Sequence, residues 1–110
     1  SAESFAADAS ALAVARRMVQ RGYDRLLSPI ERCFVYLPFE HSEDLSAQRR
    51  SLALFEGLRF SSDCTGNIEY AYRHYDIVLR FGRFPHRNVV LGRSSTPEEI
   101  AFLGQPGSGF

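Results

Sequence analysis

Two four-residue signals, Ser28-Pro29-Ile30-Glu31 and Thr96-Pro97-Glu98-Glu99, constrain the fold of this chain more than any other feature. In each, a hydroxyl side chain precedes a proline, and a glutamate follows three residues after the hydroxyl. That order predicts a helix start. The hydroxyl accepts from an unpaired backbone N–H, the glutamate reaches back to the N–H of the cap, and proline takes the first helical position, where no donor is needed. Around these starts apolar residues recur at spacings of three and four, and no hairpin signal competes, so the expected fold class is all-α.

Taken in order, the pattern predicts a first helix over residues 4–21, with Phe5, Ala9, Leu12 and Val19 inward, Ser4 as its cap and Gly22 as its stop. The second helix, from Ser28, carries Ile30, Phe34 and Leu37 as its expected buried stripe, flanked by Cys33 and Tyr36, and Pro38 is expected to kink or end it. The third covers residues 44–58, with Leu45, Leu52 and Phe55 on one side and Gln48, Arg49 and Glu56 facing water. A polar loop over 60–67 precedes a fourth helix over 68–81, capped by Asn67, with Ile68, Ala71, Tyr72, Tyr75 and Leu79 inward. His74 lies on the side of Val78 and Phe81 and reads as a half-buried histidine satisfied by one hydrogen bond rather than as a ligand. Gly82 and Pro85 stop that helix, a short helix follows Thr96, and residues 104–110 form a loose tail. Short turns between helices make neighbours antiparallel, in one helical domain over residues 1–110.

At 110 residues the chain can bury roughly two-thirds of its unfolded surface without staples. Its formal net charge is zero, so no whole-protein field draws it to nucleic acid or an anionic membrane, and its longest apolar run is too short to span a bilayer. Cys33 and Cys64 have no metal-ligand or C-x-x-C spacing, which points to a reducing, cytoplasmic setting. The chain begins with Ser1 and is expected to be a processed or truncated product.

Chemistry concentrates in two places. Residues 40–44 combine Glu40, His41, Glu43 and Asp44, and residues 80–88 combine Arg80, Arg83, Arg87, His86 and Asn88 with two phenylalanines. Opposite local charge suggests that Arg83 or Arg87 pairs with Glu40, Glu43 or Asp44 and locks the helix junctions, with Asn88 satisfying turn backbone. The same groups, Arg83, His86, Arg87, Asn88, Glu40, His41 and Asp44, are the candidate ligand-binding residues, suited to a carboxylate or phosphate. His41, His86 and Glu43 are weak catalytic candidates, since imidazole beside carboxylate can move protons near neutral pH. No metalloprotease, nucleophile-elbow or phosphate-loop motif is present.

Pro38-Phe39-Glu40-His41-Ser42-Glu43-Asp44, Phe81-Gly82-Arg83-Phe84-Pro85-His86-Arg87-Asn88, and Leu91-Gly92-Arg93 with Ser95-Thr96-Pro97-Glu98-Glu99-Ile100-Ala101-Phe102-Leu103 together resemble the bacterial family catalogued as domain of unknown function 924. Phe5-Ala6-Ala7-Asp8 is similar to that family's middle portion. The resemblance implies an all-helical fold like that of tetratricopeptide-repeat proteins, here a fragment of an α–α superhelix, and implies no activity. It also implies a further helical stretch before the part matching Phe5 onward, with a second Phe-Pro-Arg-Asn element, which this sequence lacks.

The function expected from the sequence is a protein, peptide or anion interaction module. The expected partner is a protein or peptide, with no nucleic acid and no membrane, and an uncovered apolar face offers a route to a homodimer. No cofactor and no metal ligand is named, and an enzyme is the less favoured class. The alternative is a small metal- or His/carboxylate-dependent enzyme centred on the two His-containing motifs.

Overall fold

The described residues form five α-helices: α1 (Ala2–Gln20), α2 (Pro29–Glu40), α3 (Leu45–Glu56), α4 (Thr65–Phe81) and α5 (Pro97–Leu103). This computed structural model describes the backbone of residues 2–108 and the side chains of residues 7–108. Short 3-10 turns cover Tyr23–Leu26, Ser62–Cys64 and Pro85–Arg87, and no strand occurs among the described residues.

The cap residues act as their chemistry requires. Ser28 Oγ accepts from the Glu31 N–H at 3.3 Å, and Glu31 Oε1 accepts from the Ser28 N–H at 3.0 Å. Thr96 and Glu99 repeat the exchange at 3.1 and 2.8 Å. Each cap contributes about 1 kcal/mol to starting its helix. At the other end of α4, Gly82 adopts φ 73°, the left-handed stop that a side chain would strain, and its N–H donates to the Val78 carbonyl at 2.8 Å.

Packing is sequential: α1 lies on α2, α2 on α3 and α3 on α4, giving a compact all-α bundle. Tyr36, Phe55, Leu58, Cys33, Cys64 and Ala71 form one buried cluster, with the Tyr36 and Phe55 rings edge to face at 5.8 Å. Phe84, Ile77 and Val78 form a second. Burying each large side chain is worth about 2 kcal/mol, so the two clusters dominate the favourable side of folding.

Several expectations need correction. α1 begins at Ala2, so Ser4 lies inside it rather than capping it, and the Phe5 side chain lies outside the described residues, as do Gly109 and Phe110. The inward face of α2 is Cys33, Tyr36, Phe39 and Glu40, whereas Ile30 and Phe34 are 50% and 70% exposed. Pro38 does not end α2, which runs on to Glu40. Proline so near a C-terminus removes only one backbone bond, the one to the carbonyl four residues earlier, and the rest of the helix carries on. Gln48 is fully buried rather than solvated. α4 starts at Thr65, ahead of Asn67, and turns Ala71, His74, Ile77 and Val78 inward, leaving Tyr72 and Leu79 largely exposed.

Candidate metal centre

Where α2 ends, its last carbonyls have no partner within the helix. Two side chains from elsewhere supply them. Gln48 of α3 donates from Nε2 to the Glu40 carbonyl at 2.6 Å and to the Ser42 carbonyl at 2.7 Å. Arg87 donates from Nη2 to the His41 carbonyl at 2.8 Å, with its guanidinium over the Phe84 ring at 4.5 Å. The backbone carrying Glu40 and His41 is thus held from two directions.

Glu40 points into the bundle against α4, 4% exposed. His41 Nε2 lies 3.7 Å from Glu40 Oε2, and His74 Nδ1 lies 4.0 Å from Glu40 Oε1. One donor atom from each of Glu40, His41 and His74 falls within 4.8 Å of the other two. An ion bound tetrahedrally at about 2.1 Å needs donors roughly 3.4 Å apart, closer than these atoms lie. His74 Nδ1 is 2.7 Å from the Tyr70 carbonyl one helical turn earlier. With the proton on Nδ1 donating to that carbonyl, Nε2 is the ring nitrogen whose lone pair would serve a metal, so the 4.0 Å approach of Nδ1 to Glu40 is not itself a ligand spacing.

Burial sets the charges. It pushes the Glu40 carboxyl up to about 7 and the His74 imidazole down to about 4, and it lowers His41 as well. Near neutral pH both imidazoles are therefore neutral, and the carboxyl is close to half protonated, its anion disfavoured by burial. Glu40 is buried behind its neighbours, but His41 is only half-buried and borders a cavity of about 200 Å³. Asp8 and Leu12 of α1, with Glu43, Arg87 and Leu91, are among the residues that wall it.

The remaining candidates from the sequence divide clearly. Arg83 makes two bonds to Glu99, at 2.9 and 2.8 Å, and a third to the Ser94 carbonyl; that pairing holds Glu99 down to about 2. Arg93 meets Glu43 through paired bonds of 2.9 and 3.0 Å, and the Arg87 charge also favours the Glu43 carboxylate. Burial alone would raise Glu43, but Arg93 and the Phe84 N–H at 2.6 Å hold it below its ordinary range. Asn88 binds the side chains of Ser95 and Arg93 rather than turn backbone. Asp44 caps α3 through the Ala47 N–H, with Arg16 3.6 Å away. His86 is half-buried, its ring 5.7 Å from that of Phe84, and burial lowers its pKa. The structure thus brings Glu40, His41 and Arg87 together, sets Glu43 at the cavity wall, and places Asp44 and Arg83 in capping and pairing roles.

Sequence reasoning missed that His74 lies beside Glu40 and His41 and that Gln48 supports the backbone there. The expectation against an enzyme is overturned by the cluster. A buried carboxyl and two neutral imidazoles converge, and that set serves metal-dependent and acid–base catalysis.

A family model described as "Bacterial protein of unknown function (DUF924)" matches residues 1–107. The chain is similar to a solved structure, the protein of unknown function ATU0120 from Agrobacterium tumefaciens, with a TM-score of 0.78 and 43% identity over 88% of this chain. The match covers 52% of that protein, so this chain spans about half its length. No functionally curated protein matches the chain. No helix among the described residues is long and apolar enough to cross a membrane.

Proposed function

The chain belongs to the bacterial DUF924 family, and on that premise we propose that it is a metal-dependent enzyme, with Glu40, His41 and His74 holding a divalent transition-metal ion of the zinc type. The observation that carries this reading is the approach of their three donor atoms to within 4.8 Å of one another. Two imidazoles and one carboxylate form a donor set that leaves a fourth position open for water. A bound ion would lower the pKa of that water to near 7 and make it a nucleophile, so the reaction class is hydrolysis. The ion would also neutralise the Glu40 carboxylate that burial disfavours. Substrate would enter from the cavity beside His41, which suits a small molecule.

We read the consecutive helix pairs as a fragment of a tetratricopeptide-like superhelix and place the protein in the cytoplasm. Contact with another protein, a second copy included, would fall on exposed apolar side chains such as Leu26, Ile30, Phe34 and Phe60.

Calorimetric titration with Zn²⁺ tests the site. Wild type should take up one equivalent, and Glu40→Gln and His74→Ala should each weaken uptake about 100-fold or more. Absence of stoichiometric uptake of Zn²⁺, Co²⁺, Mn²⁺ and Ni²⁺ by wild type would rule the reading out. If uptake is confirmed, the zinc-loaded protein should hydrolyse a member of an ester, phosphoester and peptide panel.

A further inference from the structure

Cys33 and Cys64 stand 31 residues apart in sequence, yet their sulfurs lie 2.8 Å from each other, against roughly 2.05 Å in a disulfide. Both are free thiols, 6% and 0% exposed. The Cys33 S–H is placed to donate to Cys64 Sγ, and Cys64 Sγ lies 3.5 Å from the Pro29 carbonyl. Cys33 sits in the first half of α2, and Cys64 ends the turn leading into α4. A second cavity of about 200 Å³ opens beside Cys33, bounded by Ile30, Phe34, Leu37, Asp63 and Asn67.

We propose that Cys33 and Cys64 are an oxidation site, which a hydroperoxide reaching Cys33 through this cavity closes into an intramolecular disulfide. The Cys33 thiolate attacks one oxygen of hydrogen peroxide; the O–O bond breaks, hydroxide leaves and takes up the proton that the Cys33 thiol had released to become water, and the sulfur is oxidised by two electrons to a sulfenic acid. Cys64 sulfur then attacks Cys33 sulfur, the S–O bond breaks, and the hydroxide departs as a second water with the Cys64 proton. Two thiols and one hydrogen peroxide thus give one disulfide and two waters. Burial first, and then the neighbouring Cys64, push the Cys33 thiol up to about 12. The reaction is therefore slow at neutral pH and quickens as pH rises. A thiol so weakly acidic is also a poor leaving group, which makes the crosslink slow to be reduced.

The crosslink joins the beginnings of the two helices that carry Glu40 and His74 farther along, with His41 just past the end of the first. It requires nothing of a metal at those residues, so it stands or falls separately from the proposed activity.

The test treats metal-free protein with excess hydrogen peroxide at pH 8 and weighs the unreduced chain. Wild type should lose about 2 Da, the two thiol hydrogens, and show no free thiol after denaturation. Its melting temperature should rise by roughly 10 °C, because the bond closes a long loop in the unfolded chain. Cys64→Ser should instead stop at a sulfenic acid on Cys33 that a dimedone probe captures. Wild type that keeps both thiols after prolonged exposure, or that gains oxygen without crosslinking, overturns the proposal.

Discussion

Replacing Glu40 by glutamine should stabilise the metal-free protein in mild alkali and leave it nearly unchanged in acid. Burial alone raises this carboxyl from 4.5 to about 7. The folded chain keeps the proton across an interval in which the unfolded chain has lost it, so Glu40 erodes stability as pH rises from 4.5 to 7. About 2.5 pH units at about 1.36 kcal/mol each give about 3 kcal/mol, fully present above pH 8. Glutamine has the same shape and no such proton to lose. Urea denaturation of both proteins with a chelator, from pH 4.5 to 9, should show the variant ahead by about 3 kcal/mol at the alkaline end. His74 acts in the opposite sense. Burial lowers it from 6.5 to about 4, so the unfolded chain gains a proton first as pH falls, and stability is lost from 6.5 down to 4. That contribution is common to both proteins and cancels in their difference. Saturating Zn²⁺ should remove most of that lead, because a 100-fold difference in affinity favours the chain with the carboxylate by about 2.7 kcal/mol. A stability difference that does not change with pH would refute the buried-carboxyl argument.

Arg93→Ala should lower stability by about 2 kcal/mol in urea denaturation, a value discounted because both Arg93 and Glu43 side chains are a quarter exposed. Its loss deprives Glu43, Asn88 and the Phe84 carbonyl of a shared donor. Gln48→Ala should cost about 2 kcal/mol by leaving the Glu40 and Ser42 carbonyls short of a donor. It should also weaken Zn²⁺ binding by about 10-fold without touching a ligand, read by titration at a temperature where the variant is folded.

The helix starts at Ser28 and Thr96 were legible because a capping box is local: its residues meet within one turn. The inward face of α2 was not. Ile30, Phe34 and Leu37 on one side and Cys33, Tyr36 and Phe39 on the other are both apolar, and periodicity alone cannot choose between two such faces. The same limit rotated α4. Gln48 was misread for another reason: it is a polar residue facing the interior, and its role comes from carbonyls met only after folding, that of Glu40 above all, whereas His74 is the inward histidine with one backbone hydrogen bond that its position on α4 suggests. The opposition of acids and arginines was visible, but which arginine meets Glu43 depends on how the chain after Asn88 turns back. That path selects Arg93, fifty residues from Glu43 in sequence.

The most direct test of the metal site is a crystal of the protein grown with Zn²⁺ and measured on both sides of the zinc absorption edge. An anomalous peak within about 2.2 Å of a Glu40 carboxylate oxygen and of one ring nitrogen each from His41 and His74 is the predicted result. A peak bound by other residues, with Glu40, His41 and His74 left in mutual contact and no ion between them, would contradict it.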